Sequence, residues 1–224
     1  MKGKTKVREL LRLAMPIIMY VPIYLIWFKA IENHRFSHYA LIHTVLDDKI
    51  PFCEIFIIPY YAWFIYVAAV MLYFLFNMEV EVYYKNYMFL VTGMTLFLII
   101  STLFPNMHQL RPDVMPRDNV FTHMIALLYK ADTPTNLWPS IHVYNSLGTM
   151  IAVRNSKKIG KVGKILSDIM GVLIILSTMF IKQHSIYDVV TAFFMAIIFY
   201  LAFYHSTIVE SFCKKREEKL AYRY

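Results

Sequence analysis

The chain has 224 residues, of which 58% are hydrophobic and 17% charged, whereas a soluble domain is nearer half apolar and a quarter charged. With an aromatic content of 17%, 14 Met and only six Gly, this composition excludes a disordered, collagen-like or linker-rich chain and points away from a soluble globule. A net charge of +8 first suggests a nucleic-acid partner, but the positions of the charges give it another cause.

A helix that crosses the hydrocarbon core needs ~20 apolar residues, so this length holds about six spans with short loops. That leaves a single integral membrane domain over 1–224. Charge-free runs predict spans at 13–28, 55–78, 86–105, 137–153, 165–181 and 189–209. Pro16 and Pro22 are expected to kink the first. Five basic residues precede it and no small-residue cleavage site follows, which predicts a retained signal-anchor. The fourth is interrupted by His142, and Asp168 lies near the start of the fifth, four residues after Lys164, a spacing that predicts a local ion pair. Cys53 and Cys213 fall near opposite faces, so no bridge between them is expected.

Alternating loops divide the 23 lysines and arginines unequally, sixteen to seven. The richer side holds the N-terminal tail, Lys85, the 154–164 loop and the C-terminal tail. This predicts a cell-membrane protein with both termini cytoplasmic, its basic surplus facing anionic lipid headgroups rather than nucleic acid. On the outer side, 33–52 mixes Phe36, Tyr39, Leu41 and Val45 with His34, His38, His43 and paired acids, and reads as an interfacial amphipathic segment. The histidines present an i, i+4 pair if this segment is helical, but no third metal ligand is evident. The 106–136 loop is longer, with an amphipathic stretch over 120–128, and long loops in compact proteins are more often functional than spacers. Tyr60-Tyr61 and Tyr83-Tyr84 read as interfacial belt.

Three polar clusters fall at outer helix ends: Arg111-Pro112, Pro139-Ser140-Ile141-His142, and Lys182-Gln183-His184 with Asp188. Pro and Ser opening a helix leave free N–H groups that can cradle an anion. His184 and Asp188 are four apart and share a helical face if the sixth helix has begun by His184. The carboxylate then holds one imidazole nitrogen and frees the other to attack. Arg111 and Lys182 supply positive charge for phosphate oxygens.

In order and spacing these pieces resemble the three-part signature of the type 2 phosphatidic acid phosphatase superfamily, which includes lipid phosphate phosphatases and vanadium haloperoxidases. Its pattern is K-x6-R-P, then P-S-x-H, then S-R-x5-H-x3-D. Here it maps onto Arg111-Pro112, then Pro139 to His142, then Ser177, His184 and Asp188, within a signature region of about 104–209. The family Lys and Arg fall on Phe104 and Thr178. The stretch Phe180-Ile181-Lys182-Gln183-His184 is more similar to a divergent bacterial branch, and more loosely to sphingomyelin and inositol phosphorylceramide synthases.

The resemblance implies an all-α, six-transmembrane-helix bundle that removes phosphate from a lipid or polyprenyl phosphate at the outer face, without metal or cofactor. His184 would form a phosphohistidine, Asp188 would orient it, and His142 would protonate the leaving alkoxide and then deprotonate water. Arg111 and Ser140 would hold the transferring oxygens, with Lys182 reaching back towards Thr178 to replace the missing Arg. Against this stand plainer accounts: a helix-end polar pair for His184 and Asp188, a satisfied bundle histidine for His142, interfacial anchors for Arg111 and Lys182, and a helix cap for Ser140. A phosphotransferase of the same fold, or an inactive lipid-binding relative, also remains open, as does the oligomeric state.

Overall fold

The structure, a computed structural model, describes residues 2–207, 209–211 and 213–214, with side chains from residue 7 onward. Among the described residues seven α-helices carry it: α1 Lys2–Asn33, α2 Ile57–Phe76, α3 Val80–Leu103, α4 Val120–Ala131, α5 Ile141–Asn155, α6 Lys161–Phe180 and α7 Ile186–Tyr200, the last continued by a π-turn over Leu201–His205. Five stretches among the described residues are long and apolar enough to cross a membrane: Val7–Asn33, Glu54–Phe76, Val80–Leu103, Lys161–Phe180 and Ile186–His205. Their outward faces are apolar, as at Met19 and Ile26 of α1, Ile65 of α2, Leu166 of α6 and Ile198 of α7, all more than half exposed. Apolar surface on this scale suits lipid rather than water. This is the architecture of an all-α integral membrane protein.

The sixth expected span is the exception. Helix α5 has 15 residues, or about 22 Å at ~1.5 Å per residue, against a hydrocarbon core of ~30 Å. Its neighbours are α2, α3, α6 and α7, so protein rather than lipid surrounds it. That explains why Asn145, Ser146 and Thr149 are buried on it without making it apolar. The Ser146 and Thr149 hydroxyls donate to the carbonyls of His142 (2.7 Å) and Asn145 (2.8 Å) within the same helix.

The loops at one end of the bundle are ordered by pairing. Ala40–Leu41 (β1) and Asn106–Met107 (β2) form a two-residue parallel ladder that joins the loop before α2 to the loop after α3. The Asn106 side chain accepts from the Leu137 N–H (2.9 Å) and the Trp138 N–H (3.0 Å), which fixes the approach to α5. After the end of α1 the segment up to residue 52 is mostly irregular, with the two-residue strand β1 and one short 3₁₀ turn at Asp47–Lys49, so the helical condition for the histidine pair is not met. His34 and His38 do not share a helical face, and no group of three metal-ligating side chains occurs among the described residues.

Two further expectations are corrected. Asp168 pairs bidentately with Arg154 on α5 (3.0 and 2.7 Å), while Lys164 donates to the Arg154 carbonyl, because the hairpin of α5 and α6 brings that Arg closer than the local Lys. Tyr60 and Tyr83 are 2% and 1% exposed and belong to the interior, not to an interfacial belt.

Candidate active site

The segment between α6 and α7 carries the first part of the site. Helix α6 ends at Phe180, and the chain reverses through Lys182, a non-glycine residue at φ 55°. The Gln183 and His184 N–H groups both donate to the Thr178 carbonyl (2.9 and 3.0 Å), closing the end of the helix. Helix α7 then starts with Ser185 as its cap in a reciprocal capping box with Asp188. His184 thus lies just before the helix, not on its face. It still meets Asp188: His184 Nδ1 lies 3.1 Å from Asp188 Oδ2, which also accepts the Ser185 N–H at 3.0 Å. A carboxylate only accepts, so Nδ1 carries the proton and Nε2 presents its lone pair. Burial first, and the nearby Arg111 guanidinium second, push the imidazole down to about 3, which keeps it neutral at physiological pH.

His142 comes from the start of α5. Its ring is stacked on Tyr60 (centroids 4.7 Å apart), touches Trp63 (4.3 Å) and stands 5.6 Å from the His184 ring. Both its ring nitrogens are buried without a partner among the described residues. Ser140 caps α5 by accepting from the Val143 N–H (3.4 Å), and its own N–H donates to the Asp188 carbonyl (3.4 Å), which ties α5 to α7.

Arg111 enters from the loop after α3. One terminal nitrogen donates to the Tyr129 (3.3 Å) and Asp132 (2.8 Å) carbonyls, the other to Gln183 Oε1 (2.8 Å), and the guanidinium lies 4.4 Å over the Tyr129 ring. All three acceptors are neutral oxygens, so they leave the positive charge in place for an anion. Arg111 Nε, Gln183 Nε2 and Trp63 Nε1 are N–H donors that are buried and unpartnered. Buried donors are rarely left empty, and here Trp63 touches His142, Gln183 precedes His184, and Arg111 bonds Gln183.

The structure therefore brings Arg111, Ser140, His142, His184 and Asp188 together. Lys182 stands apart: its ammonium donates to the carbonyls of Asp47 (2.8 Å) and Ile50 (2.6 Å). Lys182 lies beyond the end of α6, so it does not share a face with Thr178, which is buried and donates to the Ile175 carbonyl. The expected replacement of the missing Arg by Lys182 is not what the geometry provides.

Sequence reasoning missed Tyr60, Trp63, Gln183 and His108. The last is 2% exposed; its Nδ1 accepts from the Leu110 N–H, so Nε2–H donates to the Gln183 carbonyl (2.8 Å). A buried Gln between two flagged residues, Lys182 and His184, was the available signal. The aromatic pair had none, since such residues are ordinary within an apolar span. No family model, curated protein or solved structure matches this chain.

Proposed function

We propose that this protein is a membrane phosphoryl-transfer enzyme of the type 2 phosphatidic acid phosphatase kind, acting on a lipid or polyprenyl phosphate through a phosphohistidine. The observation that carries this reading is the neutral His184, held at Nδ1 by Asp188, beside a second buried histidine and unpaired donors. His184 Nε2 attacks phosphorus as the bond to the leaving oxygen breaks, and His142, which takes up a proton as the anionic substrate binds, gives that oxygen its proton. Water then attacks the phosphohistidine, passes a proton to His142 and releases His184. Arg111 Nε, Gln183 Nε2 and Trp63 Nε1 serve the equatorial oxygens. Donors aimed at developing charge supply about 10²–10³-fold each. No metal is needed, because the nucleophile, the acid and the charge are all side chains.

The same reading takes α5 as a sixth, short crossing element, places both termini in the cytoplasm and sets the site at the outer face. The sixteen-to-seven division of basic residues supports it.

A second reaction is favoured by charge. Phe104 and Thr178 are neutral, and Lys182 is engaged elsewhere, so Arg111 is the one permanently charged cation among the candidate side chains. A phosphomonoester carries nearly two negative charges at neutral pH, about −1.5 to −2, and a diester carries one. The clamp suits the diester, and with it transfer of a headgroup phosphate to a lipid hydroxyl. Incubation with phosphatidic acid and with a phosphodiester lipid, each with and without an alcohol acceptor, separates the two. Hydrolysis releases free phosphate from phosphatidic acid and the headgroup phosphomonoester from the diester, and in either arm a phosphorylated acceptor marks transfer. Lipid binding without turnover of either substrate overturns both in favour of an inactive lipid-binding protein.

A further inference from the structure

Asp47 is a buried carboxylate, 1% exposed, that the reaction above does not use. It lies in the outer loop, 137 residues before His184. Oδ2 accepts from Ser185 Oγ (2.7 Å), the Thr44 N–H (2.7 Å) and Thr44 Oγ1 (3.0 Å), and Oδ1 accepts from the Ile186 N–H (2.8 Å). On the other side of His184, the Asp47 and Ile50 carbonyls hold the Lys182 ammonium. Loop 44–50 thus grips the chain at 182 and again at 185–186, with the histidine between.

The contacts form a directed relay. A serine hydroxyl has one proton, and Ser185 gives it to Asp47. Its lone pairs are then left for the first turn of α7, where Ser185 Oγ accepts the Tyr187 N–H (3.1 Å). That turn carries Asp188, which holds the His184 ring. By binding the Ile186 N–H, Asp47 also occupies a helix N-terminus that would otherwise attract an anion. Leaving a buried charge in a loop is costly unless it is fully hydrogen-bonded, and here all its partners except Thr44 lie next to His184. We propose that Asp47 is the positioning residue of His184, acting through Ser185 and Asp188. This rests on the phosphoryl-transfer reading for its effect on turnover, but not for its effect on the ring.

Asp47→Asn keeps the shape and presents an NH₂ group where an oxygen had accepted. With a phosphoester substrate, kcat should fall about 10–100-fold while KM stays within about twofold, the pattern of a misplaced reacting group. Nitrogen NMR of labelled histidine should show the single Nδ1–H form of His184 giving way to a mixture of tautomers. Asp47→Glu, which restores two acceptor oxygens, should recover part of both. Ser185→Ala cuts the same relay from the other end and carries the same measurements if Asp47→Asn does not fold. Asp48→Asn, whose exposed carboxylate pairs with His43, should change neither. An unchanged kcat and an unchanged tautomer in Asp47→Asn and Ser185→Ala would overturn the proposal. So would a lower unfolding temperature with both left intact. If the wild-type protein turns over no phosphoester, the reaction reading falls, and the tautomer measurement still decides the role of Asp47.

Discussion

Two buried histidines, His184 and His108, have ionisations moved far from the usual imidazole range, and each yields a prediction. His184 is neutral with Nε2 free, the form a nucleophile needs, so His184→Ala should abolish phosphoester turnover. His142→Ala should cost about 10²–10⁴-fold with an alkoxide leaving group, but much less with an activated aryl leaving group that needs little protonation. Kinetics on the two substrates check this, and equal losses would remove His142 from the acid role. His108 is pushed down to about 4, chiefly by burial, against an ordinary value of ~6.5. Below pH 6.5 the unfolded chain takes a proton there that the folded chain refuses. The stability contributed by neutral His108 is thus present above that pH and lost as pH falls towards 4. At ~1.36 kcal/mol per unit, the advantage of wild type over His108→Gln should shrink by about 3 kcal/mol between pH 7 and pH 4. Unfolding of both proteins in mixed micelles across this range measures it, and a constant difference would mean that His108 titrates normally.

At the scale of elements, the contact between α3 and α5 supports the site, because α5 presents Ser140 and His142 at its first turn. Two glycines allow the approach. A methyl at Gly93 would sit inside the Tyr144 ring, and one at Gly148 would press on the Phe89 ring. Those rings are stacked 4.5 Å apart, and the Tyr144 hydroxyl donates to the Phe89 carbonyl (2.8 Å). Gly93→Ala should therefore cost about 1–3 kcal/mol of stability through overpacking, whereas Gly160→Ser, in open space at the start of α6, should be neutral or slightly stabilising. Thermal unfolding in detergent compares the two. The helices themselves were legible as charge-free runs, and the His142 and His184–Asp188 motifs as local spacing. What the sequence hid is contact across distance. The polarity of α5 marks burial among helices, which periodicity alone does not reveal. Lys182 takes a left-handed turn that no glycine announces, and the expectation of a shared face with Thr178 failed there. Asp47 meets Ser185 and Ile186, which lie 138 and 139 residues further along the chain. Tyr60 and Trp63 look like any aromatic residues in a span until His142 is placed against them.

For the whole molecule, the two ends of the bundle differ in chemistry. At one end the Cys53 N–H donates to the Phe180 carbonyl and Thr133 donates to Glu32, gathering the end of α1, the start of α2 and the end of α6 beside the histidines. At the other, Ser156 donates to Glu79 and Lys158 donates to the Asn77 carbonyl, so the end of α5 meets the turn between α2 and α3. Helix α5 thus runs from the first end to the second despite its 15 residues. It also places Arg154, Lys157, Lys158 and Lys164, which run from the end of α5 to the first turn of α6, at the end away from the site. With positive charge retained in the cytoplasm, a reporter fused after Tyr224 should be cytoplasmic. A cysteine-reactive label or epitope beside Arg117, which is exposed where it pairs with Glu54, should be accessible from outside in intact cells. If α5 did not count as a crossing, the termini would lie on opposite faces, and a tag at the N-terminus would read opposite to the Tyr224 reporter. Protection of the Arg117 tag with both termini external would instead reverse the protein and move the candidate site to the inner leaflet, where it would meet a different pool of lipid phosphates.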